Sequence, residues 1–428
     1  MKQKLQFFLL ILVFLCQTMI VNAQQNFWNK TTSNESKSSK FQDLDSKSYQ
    51  TFSLDFNAFK EQFKSVIDRN QIESKSNVIV NFPNVKGELE EFRIYEAPVL
   101  TEELSKMYPR LKTYVGYSTD GKGTRIRFSV TPHGVQTMTS YLDKATVFTV
   151  PVDKGTNTEY ITYTRNARID SVKDFECLTE NEYVPIKNAP STKRDANDQV
   201  LRTFRIAISV NGEYTNFWDD DNAATGTPQE DALAQVISTL NRNNEVFEVD
   251  MAVTFTLVNG VQYNGSDLIF ADAATDPYTG SFNSQLQSTL TSVVGEANYD
   301  IGHLFSYGSN NGNAGCIGCV CVDGQKGSGF SEHSFTDNDG GAYMNDFFDI
   351  DYVPHEIGHQ MGGNHTFSQS NEGVGVNAEP GSGTTIMGYA GITGSNDVQD
   401  HSDAYFHYNT ITQVLNNLDT RTCWVGTA

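Results

Sequence analysis

The chain has 428 residues, of which 38% are hydrophobic and 19% charged. That length suits two or three domains, and that balance excludes both a disordered chain and an integral membrane protein. A formal charge of −21, from 31 Lys+Arg and 52 Asp+Glu, argues against nucleic acid or an anionic membrane as the main partner.

The first 23 residues read as a secretory signal. Lys2 and Lys4 form the positive end, Phe7 to Leu15 is an apolar run too short to span a bilayer, and Val21-Asn22-Ala23 is a cleavage site. A membrane anchor fits less well, as does a lipoprotein held through Cys16, because Leu15 stands where a small residue is needed. No later stretch is long and apolar enough for a transmembrane helix. The chain is therefore expected to be secreted, where cysteines oxidise.

Residues 24 to about 50 are rich in Ser, Gln, Asn and Lys, and predict a loose leader. Residues 51 to about 165 alternate apolar and polar side chains, as in Arg125-Ile126-Arg127-Phe128-Ser129-Val130. Turn signals stand at Asp120-Gly121 and His133-Gly134, so this stretch predicts a β-rich domain. Residues 166–200 read as a linker. Its basic pair Lys193-Arg194 is a natural nick site, an ordinary linker pair being the alternative. The charge changes sign there: residues 1–194 carry 26 Lys+Arg and 22 Asp+Glu, whereas residues 195–428 carry 5 and 30. Two such halves are expected to attract each other.

The acidic half opens with a strand, in which Phe204, Ile206, Ile208 and Val210 alternate with polar or small residues. Thr227-Pro228-Gln229-Glu230 is a capping box with Pro at the first helical position, and Leu233, Val236, Ile237 and Leu240 form the apolar face of the helix that follows. Met251 to Val258 predicts a second strand, Leu286 to Val294 a second helix and Ile301 to Phe305 another strand. Ile411 to Leu418 predicts a C-terminal helix. Helices alternating with strands imply an α/β sandwich with a mostly parallel sheet.

The segment from His355 to His365 carries the chemistry. On a helix, His355 and His359 share one face, so both imidazoles can reach one Zn²⁺. Glu356 lies beside the first ligand, placed to hold the attacking water. Gly362 and Gly363 can leave the helix through backbone angles other residues avoid and return His365 as a third ligand. Three protein ligands leave a position open, the arrangement of a catalytic zinc. A chance match to the five fixed positions is on the order of 1 in 10⁵, which sets aside three unrelated surface histidines.

This HExxHxxGxxH pattern resembles the signature of the metzincin zinc peptidases. Thr385-Ile386-Met387-Gly388-Tyr389 resembles their Met-turn, whose Met387 would underlie the metal. Asp300 to Phe305, the Gly-rich stretch ending at Cys321, and the run from Glu379 to Asp403 resemble the secreted bacterial reprolysin-like (adamalysin-like) branch. The resemblance covers roughly 200–423 and, more weakly, 85–165. It implies an α/β (α+β) catalytic domain with a twisted, mostly parallel sheet and a zinc-binding helix, behind a β-rich pro-domain. The expected divisions are a signal at 1–23, a pro-region at 24–194 and a catalytic domain at 195–428. Two departures stand out. Thr366 follows the third histidine, where animal relatives carry Asp. Tyr389 lies two after the Met, as in the astacin and serralysin branches, where it can approach the metal or the oxyanion; a packed turn tyrosine is the other reading. Pro354 implies that the helix starts or kinks just before His355.

Five cysteines remain after export. Cys316, Cys319 and Cys321 could be read as a second metal site, but in an exported chain disulfides fit better. Four cysteines pair in three ways; the resemblance implies Cys321 with Cys423, leaving Cys316 with Cys319. Cys177 is then unpaired. Its thiolate could fill the fourth zinc position and hold the enzyme latent, as in the cysteine switch of related zymogens, although the flanking residues do not match theirs. A buried free thiol and an intermolecular disulfide are the alternatives. The Asp-rich stretches Asp219 to Asp221 and Asp337 to Asp351 could bind Ca²⁺, but lack EF-hand spacing and read rather as a solvated acidic surface. His303, His333, His401 and His407 read as structural.

The expected protein is a secreted, monomeric zinc endopeptidase acting on protein or peptide substrates and inhibited by its own pro-region. The Gly-rich edge at 312–321 is expected to pair with extended substrate. A non-catalytic binding module on the same scaffold would predict a broken zinc triad or a missing Glu356, and all four residues are present. A zinc hydrolase of non-peptide substrates is the second alternative.

Overall fold

The computed structural model describes residues 26–31, 49–71, 75–165, 175–180, 198–335, 346–370 and 372–427. The signal at 1–23, the Lys193-Arg194 pair and the 194/195 boundary lie outside the described residues, as does Asp337.

The first half is one antiparallel sheet of nine strands: β1 (Trp28–Thr31), β2 (Tyr49–Leu54), β3 (Ile79–Pro83), β4 (Leu89–Glu96), β5 (Lys112–Ser118), β6 (Arg125–Thr131), β7 (Gly134–Ser140), β8 (Val147–Pro151) and β9 (Glu159–Thr164). Their order is β1-β2-β9-β8-β7-β6-β5-β4-β3. The β-rich expectation for 51–165 is met, but the sheet begins earlier. The stretch read as a loose leader contributes β1, which pairs with β2. The reason is aromatic payload: Trp28 is 1% exposed and packs edge-on against Phe59 and Tyr160, with ring centroids 5.8 and 4.9 Å away. One buried Trp outweighs a polar neighbourhood too short to show alternation.

The second half is a mixed sheet. It consists of β10 (Glu176–Cys177), β11 (Leu201–Val210), β12 (Val253–Leu257), β15 (Ile301–Tyr307), β16 (Asn311–Asn313), β17 (Gly329–His333) and β18 (Val425–Thr427); β13 (Gln262–Tyr263) and β14 (Ser266–Asp267) form a separate hairpin. The order is β10-β16-β17-β15-β11-β12, with β18 also on β11. The β16/β17 and β11/β18 pairs are antiparallel and the others parallel, so the expectation of a mostly parallel sheet holds. Helices Phe282–Val293 and Tyr408–Leu418 lie where their apolar spacing puts them. The second strand starts at Val253, because Met251 still ends the preceding helix and Ala252 closes it in a left-handed conformation.

The long helix Pro228–Met251 lies between the two sheets. Thr227 and Glu230 cap it reciprocally, as the sequence predicts. Leu233, Val236, Ile237 and Leu240 are fully buried. Its polar side is buried too, under the first sheet. There the Ser238 and Ser129 hydroxyls lie 2.8 Å apart, Gln136 donates to Gln235 at 2.8 Å and Arg127 donates to Asn241 at 3.1 Å. Arg69, Arg125 and Arg127 of the basic half meet Glu245 and Glu248 of the acidic half. These ion pairs across the two halves are buried or part-buried.

The Asp-rich stretches need a correction. Asp346, Asp349 and Asp351 are buried, not solvated. Asp346 accepts from Tyr163 at 2.6 Å and from Arg165 at 3.2 Å, Asp349 from Arg242 at 2.7 Å, and Asp351 pairs with Arg165. Asp220 faces His133 of the first sheet, 3.4 Å away. Arg165 and Arg242 neutralise Asp346, Asp349 and Asp351 within the same protein, whereas Asp220 joins His133 and Asp231 in a group whose ligand atoms lie within 4.8 Å of one another. Among the described residues, no helix is long and apolar enough to cross a membrane.

Candidate metal centre

The helix carrying the first two histidines runs from Val353 to Met361 and is preceded by a π-turn at Phe348–Tyr352. Pro354, which has no N–H to donate, thus stands directly after the π segment, at the start of the α-helical turns. Gly362 ends the helix at φ +121°, a conformation that favours glycine, and the chain turns back through Asn364 to His365.

Each of the three imidazoles is held at Nδ1. His355 donates to the Ile386 carbonyl at 2.7 Å, His359 to the Gly363 carbonyl at 2.8 Å, and His365 faces Glu372 Oε1 at 3.2 Å. Such contacts fix the tautomer and leave Nε2 with a free lone pair. The Nε2 atoms converge: His365 lies 3.3 Å from His355 and 3.1 Å from His359. Burial and the neighbouring imidazole push His355 down to about 3, so it is neutral, and His359 is lowered for the same reasons. Ring nitrogens converging in this way could hold one metal ion between them. The edge of a tetrahedron with metal–nitrogen bonds of about 2.05 Å is about 3.3 Å, close to the spacing found.

Cys177 completes the group. Its Sγ is 3.6 Å from His359 Nε2, and its ligand atom and those of the three histidines all lie within 4.8 Å of one another. A tetrahedral metal with one sulfur would set sulfur and nitrogen about 3.6 Å apart. The strand that brings Cys177 there is β10, which lies parallel along β16 with Cys177 opposite Gly312. The Leu178 amide donates to the Gly312 carbonyl at 2.8 Å, and the Glu176 amide to the Asn310 carbonyl at 2.9 Å. The edge expected to take substrate is therefore covered by the chain's own segment.

Glu356 is fully buried beside this group. Its Oε2 accepts from the Thr179 hydroxyl at 2.9 Å, and its Oε1 has no hydrogen-bond partner among the described residues. Burial pushes its carboxyl up to about 8, against the pull of the Thr179 hydroxyl. Gly312 gives it room: a Cβ there would lie 2.5 Å from Glu356 Oε1. Met387 is buried beneath the helix, with its sulfur 2.7 Å from where a Cβ on Gly358 would stand. The Tyr389 ring lies 4.6 Å from that of His365 and 5.9 Å from that of His355. Its phenol is raised by burial and by Cys177 and Glu356 nearby.

Sequence reasoning passed over three contributors. Thr179 follows Cys177 by two, the spacing that puts two strand side chains on one face, so that signal was present. Glu372 and Glu379 gave none. Glu379 accepts from the Thr366 and Thr385 hydroxyls and from the Thr384 and Thr385 amides, tying the third-histidine loop to the Met387 turn. Burial alone would raise its carboxyl, and those donors hold it below the ordinary value. Glu379 thus places a carboxylate beside Thr366. The disulfides are Cys316–Cys319 and Cys321–Cys423, as the resemblance implies, and Cys177 is free. His303 is buried and bonded to Gln360 at 2.8 Å and Ser331 at 3.0 Å, while His407 caps the C-terminal helix; both are structural. His333 and His401 are buried as well.

No curated protein matches the chain. Among solved structures, it is similar to the crystal structure of metalloproteinase-II from Bacteroides fragilis, at 10% identity and a TM-score of 0.41, covering 83% of this chain and 99% of that one. Residues 200–418 match the family described as metallo-peptidase family M12B, reprolysin-like, which spans the long helix, the β16 edge, the histidine helix and the Met387 turn. The chain belongs to the reprolysin-like M12B metallopeptidase family.

Proposed function

We propose that the protein is a secreted zinc endopeptidase made as a latent precursor, in which residues 24–194 restrain a catalytic domain at 195–428. The observation that carries this reading is the convergence of Cys177, His355, His359 and His365 on one point, beside Glu356. The three Nε2 atoms and the one sulfur suit zinc in charge, softness and spacing. When bound, zinc polarises the scissile carbonyl and acidifies the attacking water.

The chain's own residues do the rest. Glu356 takes a proton from the water as its oxygen bonds to the carbonyl carbon, and returns a proton to the amine as the carbon–nitrogen bond breaks. The Gly312 main chain aligns an extended substrate by strand pairing. Tyr389, beside His355 and His365, donates to the oxygen that gains charge. Met387 forms the floor under the ligands. In the precursor, Cys177 takes the position the water needs, and the Thr179 hydroxyl engages the Glu356 carboxylate.

The test is cleavage of an unfolded protein such as casein by the full chain after limited trypsin treatment, with and without a chelator. Cleavage that stops on chelation and returns with zinc supports the reading. Cleavage that is indifferent to the chelator overturns it.

A further inference from the structure

Three imidazoles can meet at one point only if the groups bonded to their other nitrogens stay in place. Two of the histidines depend on main chain that no regular element holds. His355 donates to the Ile386 carbonyl, in the turn that carries Met387. His365 stands in the segment that leaves the histidine helix. Residues 363–366 and 384–389 belong to no helix or strand.

Glu379 lies between these two segments and is 5% exposed. Each of its carboxylate oxygens accepts two donors. Oε1 takes the Thr384 and Thr385 amides, at 2.9 and 3.0 Å. Oε2 takes the Thr385 hydroxyl at 2.6 Å and the Thr366 hydroxyl. Thr385 precedes Ile386, and Thr366 follows His365. Main chain closes the clamp: the Thr366 amide donates to the Met387 carbonyl at 3.1 Å, and the Thr366 carbonyl accepts from the Ala378 and Glu379 amides at 2.8 and 2.9 Å. One side chain thus joins the neighbours of two of the three histidines.

We propose that Glu379 is a positioning residue for the metal centre, and that through Thr385 and Thr366 it holds His355 and His365 at the spacing a single zinc ion needs. The inference rests on the zinc reading of this centre and adds to it a residue outside the ligand group. Four donors on one buried group call for a carboxylate, which only accepts. A glutamine of the same shape can keep the two amides on its oxygen and turn its amino group to the two hydroxyls, which accept as well as donate. An alanine leaves all four donors without their acceptor and frees both segments.

The experiment measures the zinc affinity of the uncut full chain by competition with a chromogenic chelator. The parent is compared with Glu379→Ala, Glu379→Gln and Thr366→Val. Leu290→Ala, which truncates a side chain buried in a separate apolar cluster, controls for lost stability alone. Near-UV circular dichroism identifies the variants that are folded. Glu379→Ala should weaken zinc binding by about 10–100-fold, the usual cost of removing a group that orients metal ligands. Thr366→Val should weaken it in the same direction, Glu379→Gln should stay close to the parent, and Leu290→Ala should match it. The visible absorption of the cobalt-substituted chain, which reads ligand geometry, should shift in Glu379→Ala and not in Leu290→Ala. Parent-like zinc affinity in folded Glu379→Ala overturns the inference and leaves the zinc centre standing. Where Glu379→Ala does not fold, parent-like affinity in Thr366→Val overturns it. A parent chain that binds no zinc overturns the zinc reading and this inference with it.

Discussion

The Thr179 hydroxyl donates to Glu356 Oε2 at 2.9 Å and accepts from the Ala314 amide at 2.8 Å, so one side chain of the N-terminal half bridges the buried carboxylate and the β16 edge. Cys177, two residues earlier, reaches the histidines. The proposed latency is thus double, one contact at the metal ligands and one at the proton carrier.

Cys177→Ala should raise the peptidase activity of the uncut precursor, and adding Thr179→Val should raise it again by roughly threefold to tenfold, since a hydrogen bond typically contributes about 0.5–1.5 kcal/mol. Activity of the uncut chain on a fluorogenic peptide is the measurement. A double variant as silent as the parent would place latency elsewhere.

Gly312→Ala should lower the activity of the trypsin-activated protein while leaving zinc content unchanged. The added Cβ stands 2.5 Å from Glu356 Oε1, so the carboxylate must move. Overpacking of this kind costs about 1–3 kcal/mol. Zinc would be measured beside kcat; full activity at full zinc would show that Glu356 tolerates displacement.

Met387→Leu should keep most activity, because the sulfur packs against Gly358 and similar-volume swaps usually cost less than about 1.5 kcal/mol. Loss of zinc from a folded Met387→Leu protein would contradict the floor role.

Much of this arrangement is legible before any coordinates. His355, Glu356 and His359 follow from helical spacing, His365 from the Gly362-Gly363 exit, and Thr227 announces the long helix through a capping box. Local rules suffice there, because neighbours in sequence make the structure. They fail where distant segments meet. Trp28 seeds a strand through rings far along the chain. Asp346, Asp349 and Asp351 look solvated because their partners, Tyr163, Arg165 and Arg242, are more than 100 residues away. Glu372 reaches His365 from a loop with no periodic pattern.

Glu248→Gln should destabilise the intact precursor by about 3–5 kcal/mol, because it strips a buried partner from Arg69 and Arg127. Burial alone would raise this carboxyl, but the two guanidinium groups hold it at about 2, below its ordinary value of 4.5. A depressed carboxyl stabilises the fold above its unfolded pKa, and that contribution fades as pH falls through the folded value. The gap between parent and variant should therefore be full above about pH 5 and shrink from there toward pH 2. Urea unfolding followed across that range is the check; a gap independent of pH would contradict the assignment.

The central claim is that one zinc ion in the uncut precursor is shared by His355, His359, His365 and Cys177. Zinc K-edge absorption spectroscopy of the intact, zinc-loaded chain reads the ligand set directly. The account predicts three nitrogen ligands at roughly 2.0–2.1 Å and one sulfur at about 2.3 Å, with the sulfur lost in Cys177→Ala. A shell of only nitrogen and oxygen in the parent precursor would contradict it.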